Sequence, residues 1–373
     1  WKQLMDLPIK FNPSQFATEV FELYKTWNLY KNLKEPTTNY FEITPDPDTT
    51  YMCCVYYQEE RIKQCKDNII FIDCFKEGWH ILPTHSTNWP KDKHYFILSS
   101  ADWDTTDPLY QLDFDYTLLY FPWVLFDTVR AYTSFKHELF FCEKSYDFKY
   151  PKELSFSSMS SSIKTHRDFV VQHILPLIPK DSYAFKYAGI NHGKNIQHLD
   201  IVSNIDQQNF EHYHQQADKY FANTHNKELQ VSAWQYLPID IYNISYYNLI
   251  TESSFKGSHF FPTEKIWKPI VTGIPFVCMA TQNFLQRVRD LGFKTYNNVW
   301  DESYDTEPNE VHRLEMIADL CVQLQTFDWQ SNRQKLIDIA NHNKLQLQQV
   351  SSIFDDHFTN MENKIKDYIA SKK

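Results

Sequence analysis

The residues with the clearest chemical potential are Glu264 and Lys265, an adjacent carboxylate and ammonium group that directly follow Thr263. Thr263 has the side chain of a helix N-cap, and apolar residues then recur at helical spacing as far as Val271. The amide groups of a first helical turn attract anions, and a lysine there adds a positive charge. The pattern therefore predicts a helix that binds a phosphorylated ligand at its N-terminus.

The same segment also indicates where this helix ends. Gly273 suits a C-terminal cap, and the apolar run 274–279 is typical of a short buried strand. Pro269 removes one main-chain hydrogen bond, so we expect a kink or a short first turn there. A plain N-cap followed by two solvated charges is the alternative interpretation of the helix start.

Two more polar segments precede this one in the sequence. Glu252 lies in an acidic cluster just after a strand predicted at 244–250. Upstream, a strand beginning at Leu154 leads through a serine-rich loop, with Ser157 and Ser158, into a helix that carries Arg167 in its first turn. A flexible serine-rich linker followed by a surface arginine is the alternative.

In this order, the segments resemble the donor-binding signature of the alpha-fucosyltransferase family, as in a distant bacterial or viral member. Those enzymes are glycosyltransferases of the α/β GT-B architecture, with two Rossmann-like domains facing across a cleft. The resemblance implies that Glu264 contacts the ribose of a GDP-sugar, whereas Lys265 and Arg167 contact its diphosphate. The family's Phe-Glu-Asn-Ser core is Thr-Glu-Ser-Ser here. The positions that match the family's donor site are Ser157, Ser158, Arg167, Glu252, Glu264 and Lys265.

An acidic segment at 301–310 follows the donor-like region. Its irregular spacing lacks the central glycine of a calcium loop, which favours a polar surface loop leading into a helix. The segment also resembles an Asp-Glu-Ser-Tyr-Asp sequence in bacterial and viral relatives of this general type. That resemblance implies that Tyr304 and Asp305 border the nucleotide.

Transfer from a nucleotide sugar requires stabilisation of the departing diphosphate and a base for the acceptor hydroxyl. Lys265, Arg167 and helix amides can stabilise the diphosphate without a metal. We therefore expect an inverting, metal-independent enzyme with no cofactor, acting on a nucleotide-sugar donor and a glycan or other hydroxyl acceptor. The candidate bases are carboxylates near predicted strand ends in the first half: Asp102 and Asp104, and after them Asp73 and Glu77.

The 373-residue length favours two domains. We expect an N-terminal acceptor-side domain at 1–150, a nucleotide-sugar-binding domain at 151–330, and C-terminal helices at 331–373 that pack back or extend. Alternating strands and helices from Leu154 onward favour a parallel α/β sheet. Further strands are predicted at 51–57, 68–74, 94–99, 116–121, 183–187, 275–279 and 293–296, and further helices at 283–291, from 310, and at 333–370.

Composition narrows the class of protein. A net charge of −10 makes DNA a less favoured partner. Only 6 glycines are present, and no Gly-rich motif, which argues against a glycine-rich phosphate-binding loop.

The longest apolar run, 117–126, is too short for a membrane span. Seven cysteines without paired spacing favour the reducing cytoplasm, and His212 with His214 is more typical of a surface pair than of a metal site. The sequence starts at Trp1, which leaves an upstream segment open.

Three functions fit these observations. The first is a glycosyltransferase that builds a glycan, lipopolysaccharide or capsule. The second is a phage or viral DNA glycosyltransferase acting on a hydroxylated base, which requires a basic trench in the first domain. The third is a noncatalytic GT-B-like protein that uses its aromatic-rich first half as a binding surface. The donor base, the sugar and the acceptor stay open.

Overall fold

The computed structural model divides the chain into two compact units, 1–123 with 349–373 and 124–348. The structure describes residues 69–74, 88–126, 128, 145–160, 164–187 and 237–371. This division differs from the expected boundaries at 150 and 330. The expected C-terminal helical region is split, with residues 331–348 in the second unit and 349–373 in the first. The strand predicted at 51–57, Glu77 and the pair of histidines at 212 and 214 lie outside the described residues.

The first unit contains a parallel three-stranded sheet in the order β1-β2-β3. Its strands are Ile69–Cys74 (β1), His94–Ser99 (β2) and Asp115–Tyr120 (β3). Every residue of β2 is buried, as expected for a central parallel strand that is covered on both faces. The predictions at 68–74, 94–99 and 116–121 are therefore confirmed to within one residue.

The second unit contains a parallel four-stranded sheet in the order β5-β4-β6-β7. Its strands are Leu154–Ser160 (β4), Tyr183–Tyr187 (β5), Ser245–Thr251 (β6) and Phe276–Met279 (β7). These four strands confirm the sequence predictions. The two parallel sheets, with helices between the strands of the second, confirm the expected α/β class.

Six α-helices are described between residues 165 and 348 of the second unit. They are α1 (Thr165–Phe169), α2 (Ile239–Ile244), α3 (Glu264–Thr272), α4 (Phe284–Asp290), α5 (Glu310–Gln323) and α6 (Arg333–Gln348). Helix α1 continues through a π-helical turn at Val170–Ile174 and a 3-10 turn at Leu175–Leu177. A 3-10 turn at Ser303–Thr306 lies between α4 and α5.

Helix α3 begins and ends where its sequence predicts. Thr263 is the N-cap, and its hydroxyl accepts from the main-chain N–H of Lys265. Gly273 caps the C-terminus in the left-handed conformation, with φ of 83°. The helix runs continuously past Pro269. A Cβ at Gly273 would lie 3.0 Å from the Cβ of Ala340 on α6, so the absence of a side chain lets the two helices approach closely.

The strand predicted at 293–296 does not form. The main-chain N–H of Lys294 donates to Oδ1 of Asn343 (2.7 Å), and its carbonyl accepts from Nδ2 of Asn343 (3.0 Å). The N–H of Tyr296 donates to Oε1 of Glu302 (2.8 Å). Side chains thus take the hydrogen bonds that a neighbouring strand would need.

The helical region predicted at 333–370 consists of two helices. Helix α6 ends at Gln348, and a second helix, α7, begins after two intervening residues (Ser351–Ser371). Helix α7 belongs to the first unit, where Phe354 and Phe358 lie 5.7 Å and 4.5 Å from Phe121, measured between ring centroids. Lys364 donates to the carbonyl of Leu118 in β3 at 3.0 Å. In the part of the chain that the structure describes, no helix has the length and apolar character to cross a bilayer.

Candidate functional site

The site predicted around Glu264 and Lys265 lies where β6 ends and the chain crosses to helix α3. In parallel α/β sheets, ligands bind at this carboxyl edge because the loops that leave the strands converge there. The hydroxyl groups of Ser160 and Thr251 are hydrogen-bonded to each other at the ends of β4 and β6. The next residue, Glu252, starts the loop that leads to α3.

Glu252 joins the two ends of this loop. Its Oε2 accepts from the hydroxyl of Thr263 at 2.5 Å and from the N–H of Ser253 at 3.1 Å. Its Oε1 accepts from the N–H of Thr263 at 3.2 Å. Glu252 is 1% exposed, so both oxygens serve the protein's own loop. Its implied contact with the donor stays a prediction.

Thr263 connects this carboxylate to the charged pair at the start of α3. The ammonium nitrogen of Lys265 lies 3.2 Å from the Thr263 hydroxyl and 3.0 Å from Oε1 of Glu264. The Lys265 and Glu264 side chains are 14% and 26% exposed, respectively. The pair expected from the sequence is therefore assembled and accessible to solvent.

We expected amide groups in the first turn of α3 to be available to an anion, but two of them bond within the helix cap instead. The N–H of Lys265 donates to the Thr263 hydroxyl at 3.4 Å, and the N–H of Ile266 donates to the Thr263 carbonyl at 3.3 Å. These amides are satisfied inside the cap, in the usual manner of an N-capped helix. Binding of an anion here would depend on the Lys265 side chain.

The charges of α3 are coupled. Burial would raise the pKa of Glu264, but the ammonium groups of Lys265 and Lys268 outweigh it and lower that pKa below its ordinary value. Burial lowers the pKa of Lys268 to about 8, against the attraction of Glu264. Burial also raises the pKa of Glu252, although Lys265 acts in the opposite direction. The pKa of Glu264 is thus shifted down and that of Glu252 up, each from the ordinary value of a glutamate.

Arg167 is buried and bound to the main chain that carries Glu252. One of its terminal nitrogens, Nη2, donates to the carbonyls of Thr251 and Glu252, each at 3.0 Å. His166 donates from Nε2 to the same Glu252 carbonyl at 2.8 Å, and burial lowers the pKa of His166 to about 3, so its ring is neutral. In these contacts, Arg167 positions the end of β6. Its implied contact with a diphosphate stays a prediction.

The loop between Glu252 and Thr263 is also held at Phe255. The His166 ring stacks on the Phe255 ring at 5.3 Å, and the Arg313 guanidinium lies 4.4 Å from the Phe255 ring centroid. Arg313 also donates to the Phe255 carbonyl at 2.7 Å. These contacts combine a cation–π interaction with a charge-assisted hydrogen bond, and they fix the path of the loop.

Ser157 and Ser158 lie inside β4 rather than in the loop that follows it, because the strand continues to Ser160. The side-chain amide of Asn248 donates to the carbonyl (2.8 Å) and the hydroxyl (3.2 Å) of Ser157 across to β6. Both serines are buried. The expected strand end is therefore misplaced, and Ser160 occupies the position where the strand meets the site.

Tyr304 and Asp305, expected beside the nucleotide, are both buried in the second unit. The Tyr304 hydroxyl accepts from the N–H of Cys278 in β7 at 3.4 Å. The Asp305 carboxylate accepts from main-chain groups at the start of α4. Both contacts are structural. The segment is thus not simply the polar surface loop that its composition suggested.

The two favoured base candidates lie in the loop after β2 of the first unit, and their surroundings differ. Asp104 is exposed, and its Oδ1 accepts from the hydroxyl (2.7 Å) and the N–H (2.8 Å) of Thr106. These bonds lower the pKa of Asp104, which makes it a weaker base. Asp102 is partly buried and sits closer to the end of β2. Asp73 lies in β1.

Three contributors to the site were missed in the sequence. Thr263 was recognised as a cap but not as the link between Glu252 and Lys265. Lys268 was overlooked, although its spacing of four residues from Glu264 is that of a helical ion pair. The role of His166 had no local signal, because its partner lies 86 positions away. Among the described residues, no three His, Cys, Asp or Glu side chains converge as metal ligands.

The described fold and site define a two-unit parallel α/β protein with a charged site at the carboxyl edge of its second sheet. No family model and no curated protein matches the chain. It is similar to a solved structure of the DNA-modifying enzyme beta-glucosyltransferase, studied with and without its substrate uridine diphosphoglucose. The identity is 11%, the match covers 94% of this chain and 95% of the other, and the TM-score is 0.48. A similarity this distant identifies neither a substrate nor an activity for this chain.

Proposed function

We propose that this protein is a glycosyltransferase that moves a sugar from a nucleoside-diphosphate sugar to an acceptor hydroxyl. The observation that carries the proposal is the Lys265–Glu264 pair, with 3.0 Å between ammonium and carboxylate, fixed at the carboxyl edge of a parallel sheet. The sequence resemblance to a donor-binding signature falls on these same two residues. Such an edge is the usual ligand site of this fold class.

The two side chains supply complementary interactions with a nucleoside diphosphate. The Lys265 ammonium would donate to the diphosphate and stabilise the negative charge that grows there as the bond to the anomeric carbon breaks. The ionised Glu264 carboxylate would accept from ribose hydroxyls. The acceptor oxygen forms the new bond to the anomeric carbon and loses its proton to a base, for which Asp102 is the preferred candidate.

The described loop after β2 favours an uncharged acceptor. Residues 100–114 contain four aspartates and neither lysine nor arginine. A DNA-binding surface requires positive side chains against the phosphates, and this segment has the opposite charge. A glycan or another neutral hydroxyl compound therefore fits this segment better than duplex DNA.

The first experiment is a thermal-shift titration with GDP, UDP, CDP and ADP, which also identifies the preferred base. A ligand at 100 times its Kd stabilises the folded state by about 2.7 kcal/mol, which gives a readily measured rise in Tm. Lys265→Ala and Glu264→Ala should abolish the rise, whereas Lys344→Ala, at an exposed position on α6, should retain it. If none of the four diphosphates raises Tm, the proposal is wrong.

The second experiment measures transfer from the nucleotide sugar whose base is selected by the first. Neutral oligosaccharides and a duplex with hydroxymethylated bases serve as acceptors, with EDTA present to test metal independence. We expect transfer to the oligosaccharide and little binding of the duplex. Transfer to DNA, with an affinity that falls steeply as salt rises, would instead establish the DNA-modifying alternative.

A further inference from the structure

We propose that Glu252 is a positioning residue that fixes the Lys265 ammonium through the hydroxyl of Thr263, rather than a ligand of the sugar. The importance of this arrangement for binding rests on the proposed function, in which Lys265 contacts the diphosphate. The arrangement itself is a property of the protein alone. It can therefore be tested with and without a nucleotide.

The first step is the burial of the Glu252 carboxylate. Its two oxygens accept three hydrogen bonds, one from the N–H of Ser253 and two from Thr263. All of these donors belong to the loop between β6 and α3 or to the cap of α3. A carboxylate with 1% exposure and this set of donors holds the loop and is not presented to a sugar hydroxyl.

The direction of the hydrogen bonds at Thr263 follows from the single hydrogen of its hydroxyl. A hydroxyl donates one hydrogen bond and can accept two. Both Glu252 oxygens already accept from main-chain N–H groups, and the Thr263 hydroxyl donates its hydrogen to Oε2, 2.5 Å away. The hydroxyl lone pairs then face Lys265, whose Nζ and N lie 3.2 Å and 3.4 Å away. Glu252 thereby sets the direction of the bond that holds the ammonium.

The third step is the fixed position of Lys265 against two acceptors. Its Nζ donates to Thr263 and to Oε1 of Glu264, at 3.2 Å and 3.0 Å. A lysine has four rotatable side-chain bonds, and two acceptors restrict them before a ligand arrives. Loss of the Thr263 acceptor leaves only the salt bridge to the neighbouring Glu264. The ammonium would then be less ordered, although its charge is unchanged.

Glu252→Gln tests the direction of this chain of bonds. A glutamine has one acceptor oxygen and an NH2 group, so it cannot accept at both positions. If its NH2 faces the Thr263 hydroxyl, it donates to that oxygen, and the hydroxyl hydrogen must turn away from Glu252. Thr263→Val removes the hydroxyl at similar volume, and Thr263→Ser restores it. Ile270→Val, at a buried position of α3, controls for mild destabilisation that leaves these contacts intact.

The first readout requires no ligand. The rate at which acetic anhydride labels Lys265, followed by mass spectrometry, should rise at least severalfold in Glu252→Gln and Thr263→Val. It should return towards wild type in Thr263→Ser and stay at wild type in Ile270→Val. Unchanged labelling in both Glu252→Gln and Thr263→Val would overturn the inference.

The second readout is the Kd of UDP and GDP. We expect Glu252→Gln and Thr263→Val to weaken binding of the preferred diphosphate about tenfold, the size of one charge-assisted hydrogen bond. In a Lys265→Met background, the same changes should have almost no further effect on the Kd, because the ammonium group through which they act is already absent. Additive losses in that background would contradict positioning through Lys265. If the wild-type protein binds no nucleoside diphosphate, the proposed function fails, while the labelling rates still decide this inference.

Discussion

The carboxylate of Asp305 lies at the N-terminus of helix α4, where its Oδ1 accepts a 2.7 Å hydrogen bond from the N–H of Leu285. Its Oδ2 accepts from the N–H of Gln286 at 2.9 Å and lies 3.5 Å from Nη2 of Arg289. A side chain of the protein thus occupies the place where this helix would attract an anion. Among the described contacts, the proposed anion site therefore depends on the Lys265 side chain rather than on α4.

Asp305→Ala is therefore expected to reduce stability more than ligand binding. It removes one buried and one partly buried hydrogen bond from main-chain N–H groups, and we expect the free energy of unfolding to fall by about 1–3 kcal/mol. Chemical denaturation measures this loss. Asp301→Ala, in an exposed turn where the carboxylate accepts from Ser303, is the control and should cost less. Equal losses in both variants would refute the capping role.

Glu302 makes stability depend on pH. Burial raises its pKa from 4.5 to about 7, against the hydrogen bond from Thr295 and the charge of Arg289. The folded state thus binds more protons than the unfolded state between about pH 4.5 and 7, so stability falls as pH rises through this window. Glu302→Gln should lack this decline, which amounts to at most about 3 kcal/mol.

Denaturant titrations at several pH values from 5 to 8 measure the difference between wild type and Glu302→Gln. Glu315→Gln, at an exposed position on α5, provides the matched control for other titrating groups. The stability of the wild type relative to Glu302→Gln should decrease as pH rises. A constant difference across the range would show that Glu302 does not titrate there.

Lys268 contributes, after Lys265, to lowering the pKa of Glu264. Lys265 and Lys268 lower the pKa of Glu264 against the effect of its burial, so loss of the Lys268 charge should raise it. If ionised Glu264 binds the ribose, Lys268→Met should move the acidic loss of nucleoside diphosphate affinity to higher pH. Lys268→Arg keeps the charge and should move it less. Calorimetric Kd values from pH 4.5 to 8 provide the test, and an unmoved profile would exclude this coupling.

Asp102 and Asp104 should differ as bases. Asp102→Asn is expected to reduce kcat for transfer about 100-fold or more without weakening donor binding, as the loss of a general base would do. Asp104→Asn should reduce kcat only a few-fold, because hydrogen bonds from Thr106 already hold its carboxylate and lower its pKa. Steady-state transfer rates and donor Kd values together decide between them. A larger loss in Asp104→Asn would reverse this assignment.

Local sequence signals predicted the elements that carry the site. Thr263 and Gly273 mark the two ends of α3 because capping depends on the residue type at one position. The buried strands were likewise visible as short apolar runs.

Contacts between distant segments were not predictable in this way. The segment around Lys294 has the composition of a strand, yet Asn343, 49 positions later, takes both of its main-chain hydrogen bonds. Arg167 donates to carbonyls 84 and 85 positions away, contacts that its local sequence does not indicate, and its contact with a diphosphate stays a prediction. A polar side chain can satisfy either a ligand or the protein's own main chain, and sequence alone does not distinguish the two.

The close approach of Gly273 to Ala340 has a mechanical consequence. Helix α3 is held at its C-terminus against α6 and at its N-terminus by the hydrogen bonds between Thr263 and Glu252. It cannot slide along its axis without breaking one of these contacts. A shift of α3 along its axis would therefore disturb the packing at Gly273 and the hydrogen bonds at Thr263 together.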